Sequence, residues 1–333
     1  MDYFTFINSN KLVVLYKVNF YKAEKKIEES FGGWISCHYQ SPPSIEKSNP
    51  LIATNLFSNP LRPRYLTHSQ ALWNLFSCQT IEMLSEKIKN SPSNTLKDIL
   101  FWLGHRRQAI MQIIQNGAKG RVYHYGKIRG EQHLHVHENL FENSKHHHQQ
   151  YLIIKKRLAP LLHNNSYFLK MENIDATRYY TPRPKDTDLT ITYTDKQITI
   201  TYPETTFNKI CAIETVNDAF NDLLSHDMDA LEEVIPKIGE LCYFLFRSLP
   251  FCLGSSSIIE WLARGIALSK NIDLKAFNDA TDGKQNTLFL DWQAFITFDE
   301  KEYGTWFRNA FPDACSLSID NTASYQQSPV KKK

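Results

Sequence analysis

The stretch from Leu189 to Tyr202 restricts this fold more than any other. It reads Leu-Thr-Ile-Thr-Tyr, a turn around Thr194, Asp195, Lys196 and Gln197, then Ile-Thr-Ile-Thr-Tyr. Alternation with period two is the signature of a half-buried strand, and two such arms joined by a short polar turn form an antiparallel hairpin. Helical patterns surround it. The expected class is therefore α+β: a mixed amino-terminal region with antiparallel hairpins, and a mainly helical carboxy-terminal region. No parallel doubly wound sheet is expected, because GxGxxG, Walker and GxSxG signatures are all missing.

Along the chain, Lys11 to Tyr21 is rich in β-branched and aromatic residues and predicts a strand. Residues 40–65, with their prolines, predict an irregular loop. Helices are predicted over Thr67 to Leu84 and from Asn94 or Thr95 to Asn116-Gly117, where Asn-Gly gives a stop. The glycine-punctuated run Gly117 to Gly130 predicts a hairpin, His133 to His137 a short strand, and Tyr151 to Leu162 a helix. Beyond Pro203 the helical candidates are Glu214 to Leu224, Met228 to Ser248, Ser257 to Lys270 and Trp292 to Phe311. The expected division is a mixed region 1–183, a hairpin and linker 184–208, a helical region 209–320 and a disordered tail 321–333.

Composition excludes some classes. A hydrophobic share of 42% with 13% aromatics suffices for a sizeable core, which argues against a disordered chain. A net charge of +3 is too mild to imply a nucleic-acid or membrane-surface partner. No apolar run is long enough for a membrane span, and Met1 to Val18 lacks the pattern of a Sec signal peptide. The expected location is the cytoplasm, or the exterior as an effector exported by another route. Cys37, Cys78, Cys211, Cys242, Cys252 and Cys315 include no CxxC pair and read as reduced, mostly buried thiols.

Chemistry is most legible between Leu241 and Leu268. An apolar helix runs through Arg247-Ser248-Leu249-Pro250-Phe251-Cys252-Leu253-Gly254 into Ser255-Ser256-Ser257, which opens a second helix. Ser257 and Glu260 fit an S-x-x-E capping box. A glycine–serine turn at a helix start presents amide hydrogens at the positive end of the dipole, where phosphate binds. Arg247 and Arg264 flank the turn and would strengthen an anion site made by Gly254, Ser255, Ser256 and Ser257. The alternative is that these serines cap a buried helix, with Glu260 a capping residue alone.

This helix, loop and helix resemble the central motif of the Fic (Fido-fold) family, His-Pro-Phe-x-Asp/Glu-Gly-Asn-Gly-Arg-x-x-Arg between two buried helices. Pro250, Phe251 and Gly254 match. The family's catalytic His falls on Leu249, its acidic metal ligand on Leu253, its Asn on Ser255, its first Arg on Ser257 and its last on Glu260. The resemblance covers only Leu241 to Leu268. It implies a helical nucleotide-binding scaffold without the AMP-transfer machinery, since leucine cannot act as a general base.

Three further clusters stand out. His133, His135 and His137 alternate, so on a strand they share a face that can meet Zn²⁺, with Glu138, Glu142 and His146 to His148 nearby; the same spacing also suits a solvated edge strand. Lys119, Arg121, Lys127 and Arg129 interleave with Tyr123, His124 and Tyr125, a pattern that suits a nucleotide or single-stranded nucleic acid, or simply a solvated hairpin. Nucleic acid is not the expected partner, given the mild charge. Cys37 and His38 are adjacent, so on a strand they point to opposite faces and do not form a Cys-His pair.

Two functional classes follow. One is a nucleotide- or phosphate-handling enzyme or pseudoenzyme of bacterial effector or toxin type, with its site at the start of the helix near Ser257. The other is a non-catalytic interaction protein that binds a partner through an aromatic-rich surface. A His-cluster metal-binding protein is a third expectation.

Overall fold

A computed structural model describes residues 57, 67–91, 93–114, 124–130, 137–144, 148–164, 168–170, 177–180, 189–194, 196–202, 205–225, 230–277, 288–297 and 299–317. The expectations placed on Lys11 to Tyr21, on Cys37-His38, on the 40–65 loop apart from Phe57, and on the 321–333 tail lie outside these residues. The described chain is α+β. In order it forms α1 (Thr67–Asn90), α2 (Leu96–Ile114), β1 (His137–Phe141), α3 (His148–Asn164), β2 (Phe168–Lys170), β3 (Thr177–Tyr180), β4 (Thr190–Tyr193) and β5 (Gln197–Thr201). There follow α4 (Phe207–Ile210), α5 (Glu214–Ser225), α6 (Leu231–Ser248), α7 (Ser255–Ser269), β6 (Ile272–Asp273), α8 (Leu290–Ile296), α9 (Glu300–Ala310) and β7 (Cys315–Ser316).

The Leu189 to Tyr202 hairpin forms as its alternation requires. Ile191 lies opposite Ile200 and Thr192 opposite Thr199. Ile191, Ile198 and Ile200 are buried while the threonines between them are half-buried. Thr194 closes the turn: its amide donates to the Gln197 carbonyl at 2.8 Å and its hydroxyl accepts from the Gln197 amide at 3.0 Å. The hairpin is the centre of a five-stranded antiparallel sheet in the order β1-β5-β4-β3-β2. Its apolar face meets α3 and α8 in a core of Leu140, Tyr151, Ile154, Ile198, Ile200, Trp292 and Phe295.

α6 dominates the second core. From Leu241 to Phe246 every residue is buried. A helix apolar on all sides must be enclosed on all sides, and α5, α7, α8 and α9 do so. Packing is close where small residues allow it. A Cβ on Gly239 would sit 2.9 Å from the Gly304 Cα, and one on Gly304 2.6 Å from the Pro236 carbonyl oxygen, so α6 and α9 touch backbone to backbone. α1 lays Trp73, Phe76, Leu84 and Ile88 into the same core.

The boundary expected between 183 and 208 does not separate these cores. α1 and α2, from the supposed mixed region, belong to the helical core, and α8, from the helical region, gives Leu290 and Ala294 to that core and Trp292, Phe295 and Ile296 to the sheet's. Partners distant in sequence share a core for shape and area, which composition does not record. Helix limits also shift: α7 starts at Ser255 rather than Ser257, and Trp292 to Phe311 is two helices, broken by the Asp299 N-cap whose side chain accepts from the Glu302 amide.

Residues 124–130 form no complete hairpin within the described chain. They lie against the loop that joins α6 to α7, with Tyr125 bridged to Leu253 and Ile128 to Phe251. Gly126, at φ 69°, fits against the α2 backbone at Gly104. Gly126→Ala should destabilise by about 2–4 kcal/mol, from left-handed strain plus overpacking. Gly130→Ala, whose Cβ would meet nothing within 4 Å, should change stability little. Urea melts of the two variants check this contrast.

Candidate functional site: the corner before the Ser255 helix

α6 ends at Leu249, which adopts φ 50° and ψ 69°, a left-handed conformation that is costly for leucine. Pro250 follows, and the chain turns through Phe251 to Gly254, the N-cap of α7, at φ 85°. No side chain caps this helix. The Ser257–Glu260 capping box is therefore corrected. Ser257 lies inside the helix and is buried, and Glu260 instead pairs with Arg264, one turn on, at 3.0 Å.

The serines do not present a row of free hydroxyls. The Ser255 hydroxyl folds back onto Phe251, accepting from its amide and donating to its carbonyl, both at 3.2 Å. The half-buried Ser256 donates a short hydrogen bond to the Asp291 carboxylate on α8. That carboxylate also accepts from the Trp292 amide at 2.9 Å, and among the described residues no cation pairs with it. Burial pushes the Asp291 carboxyl above the usual carboxylate range; the Ser256 bond offsets part of this, and Glu260 adds to it.

Neither predicted arginine faces the corner as an anion ligand. Arg247 is fully buried, lies over the Tyr243 ring and donates to the Ala294 carbonyl at 3.1 Å, which anchors α8. Arg264 is committed to Glu260 and to the Lys275 carbonyl at 2.7 Å, and is flanked by the Phe57 and Phe311 rings, each 5.2 Å away. The arginine that does reach Gly254 is Arg107, from α2. A Cβ on Gly254 would stand 3.0 Å from its Nε. The guanidinium is buried between aromatic rings, 4.2 Å from the Trp73 centroid and 4.7 Å from that of Tyr125. Its sequence signal was available: Arg107 stands on the apolar stripe of α2, four residues after Leu103 and three before Ile110.

The basic aromatic stretch meets the same corner. The Gly126 amide donates to the Leu253 carbonyl and the Cys252 amide to the Lys127 carbonyl, each at 2.9 Å. The Arg129 amide donates to the Pro250 carbonyl at 3.0 Å, and its buried guanidinium to the Ser248 carbonyl at 2.9 Å. His124 and Lys127 are exposed, while Tyr125, Cys252, Leu253 and Gly254 are half-buried. Lys119, Arg121 and Tyr123 lie outside the described residues. Two segments read separately in the sequence thus form one surface, with Arg107 behind it.

The other candidates do not join this surface. His137 opens β1 opposite Thr201, whereas His133 and His135 lie outside the described residues. The His148 ring sits 2.6 Å from the Glu142 carbonyl. Among the described residues no group of three or more His, Cys, Asp or Glu side chains gathers as metal ligands do. The five described cysteines are free thiols; Cys211 and Cys242 are buried and the other three half-buried, fewer buried than expected. Burial raises Cys78 to about 11 and Cys211 to about 12, and raises Cys252 as well, so these thiols are poor nucleophiles near neutral pH. No described helix is long and apolar enough to cross a membrane.

No protein-family model matches the chain, and no curated protein matches it. The chemistry of the corner therefore rests on its own geometry. A helix N-terminus with a glycine cap, backed by a guanidinium and edged by Lys127, favours an anion. Asp291 opposes one. Leu249 and Leu253 supply neither a base nor a metal ligand.

Two expectations follow from the buried charges. Arg264→Met leaves Glu260 buried without its cation and should cost about 3–5 kcal/mol, most of it recovered by adding Glu260→Leu. For Asp291, the folded carboxyl binds its proton more tightly than the unfolded one. Its contribution to stability therefore falls as pH rises from the ordinary carboxylate value through the raised one. Asp291→Asn should remove that slope and be more stable than wild type at neutral pH. Urea titrations of both proteins between pH 4 and 8 measure the difference.

Proposed function

We propose that this chain binds a phosphate-bearing ligand, a nucleotide foremost, at the corner before α7, as a pseudoenzyme of effector type. One observation supports the reading most. The basic aromatic segment 124–130 and the Gly254 turn, far apart in sequence, are hydrogen-bonded together over Arg107. The phosphate would meet the start of α7 at the half-buried Gly254 and Ser256. Arg107 supplies fixed positive charge from behind and Lys127 mobile charge from the rim. The serine hydroxyls, which the sequence put forward, contribute little in this arrangement, because Ser255 and Ser256 are already bonded within the protein and Ser257 is buried. With leucine at 249 and 253, binding without AMP transfer is the expected behaviour.

A thermal-shift titration with ATP, ADP, AMP and inorganic phosphate tests this. Ligand at a hundred times its Kd should add about 2.7 kcal/mol of stability. Lys127→Ala, at an exposed position, should weaken the shift without altering the melt of the free protein. If none of these ligands moves the wild-type melt at millimolar concentration, the reading is wrong.

A second reading, contact with a partner protein, is favoured by a different observation. Phe141, at the end of β1, is 49% exposed, and Leu152 on α3 is 39% exposed. The His148–Glu142 contact holds these two elements together. On this reading Phe141 and Leu152 are the exposed apolar side chains that a partner would cover.

A further inference from the structure

The seam between α1 and α7 holds polar groups that the corner does not use. On α1, Trp73, Ser77, Thr80 and Leu84 stand at i, i+4, i+7 and i+11, on one face of the helix. Trp73 meets Trp261 of α7 with ring centres 5.2 Å apart, and Leu84 fills the place that a Cβ on Gly265 would take. Ser77 lies between these two contacts, so its hydroxyl is in the seam. Thr80 is satisfied: it donates to the Phe76 carbonyl at 2.6 Å and accepts from Arg106 at 3.4 Å. Trp73 Nε1, Ser77 Oγ and Trp261 Nε1 are buried and have no hydrogen-bond partner among the described residues. The Arg107 guanidinium carbon stands 4.2 Å from the Trp73 ring centre and 5.9 Å from that of Trp261, so two indoles and a cation share one small space.

We propose that Trp73, Ser77 and Trp261 form a site for a small monovalent anion of halide size, such as chloride, held between α1 and α7 beside Arg107. Leaving a buried donor without an acceptor costs more than an ordinary hydrogen bond gains, and three such groups along one seam call for a shared acceptor. The chemistry of the set selects an anion over water. Indole nitrogens donate only and a guanidinium accepts nothing, so Ser77 is the one member able to accept. Water needs acceptors for its own hydrogens; an anion needs none. The guanidinium adds attraction for negative charge in a region of low dielectric. Glu260, the only acid of α7, is bound to Arg264 at 3.0 Å and does not supply that charge. The close Trp73–Trp261 and Leu84–Gly265 contacts on either side limit the guest to a single-atom ion. This site uses side-chain donors inside the fold, goes beyond the phosphate reading of the corner, and does not depend on it.

The test is a series of urea melts of the full chain at pH 7, with sodium chloride replacing sodium gluconate at constant ionic strength, since gluconate is too large for the seam. The wild-type midpoint should rise with chloride and saturate. Ser77→Ala, a small change that keeps the packing, should weaken the apparent chloride affinity roughly tenfold, the scale of one hydrogen bond to a charged group. Trp261→Phe, which keeps a ring and removes the N–H, should weaken it by a similar factor; if that variant does not fold, Ser77→Ala decides alone. A wild-type midpoint that is the same in chloride and gluconate overturns the site. A chloride dependence that persists unchanged in the folded variants shows an adventitious ion only and overturns it too. The nucleotide titration of the corner reads out separately from either result.

Discussion

Enclosing α6 is the constraint from which the rest of this structure follows. From Leu241 to Phe246 it has no face that tolerates water. Burying one large apolar side chain is worth roughly 1.5–3 kcal/mol, so leaving any side of such a helix open would forfeit much of the margin that keeps a domain folded. α5, α7, α8 and α9 each cover part of it. The Gly239–Gly304 contact brings α9 close enough for Tyr303 to reach across to α8, and the turn after Leu249 must then reverse the chain within a few residues. The candidate site is that reversal.

The corner is held by backbone and side-chain hydrogen bonds together. The amides of Gly126, Arg129 and Cys252 tie segment 124–130 to the α6–α7 loop, and Gly126 can approach α2 because neither it nor Gly104 carries a Cβ. The Ser255 and Ser256 hydroxyls and the Arg129, Arg247 and Arg264 guanidiniums are bonded to partners within the protein. Ser255 closes the loop on itself, Arg129 holds the last carbonyl of α6, and Arg264 answers Glu260. A corner held this firmly presents its amides in a fixed direction, which suits recognition of a small charged group better than a flexible loop does.

Some of this was legible in advance. The hairpin was, because alternation in Ile-Thr-Ile-Thr is a local property that burial on one face then enforces. The helix pair around Gly254 was also legible, since an apolar run interrupted by proline and glycine has few other uses. The site was legible only in outline. The sequence pointed to Gly254 and its serines and, separately, to Lys127 and Arg129. It gave Arg247 and Arg264 a role at the turn because they flank it in the chain, yet both are directed to other partners. Arg107 was not singled out, although its place on the apolar stripe of α2 marked it as a packed cation; Asp291 was not singled out either, since nothing local distinguishes an acid that packs across the fold from one on a solvated face.

By itself, then, the sequence determined the central hairpin and the long helices, and the turn between α6 and α7; it did not determine β2, β3 or the break between α8 and α9. What it did determine rests on periodicity, propensity and capping over a few residues. The tertiary structure alone decided which charges meet at the turn. The energy of a buried charge depends on distances of a few ångströms between elements far apart along the chain, and on the water that packing removes. Whether the positive end of α7 faces solvent, an arginine or an acid is settled by how α2 and α8 pack against it, and no local pattern of residues encodes that placement.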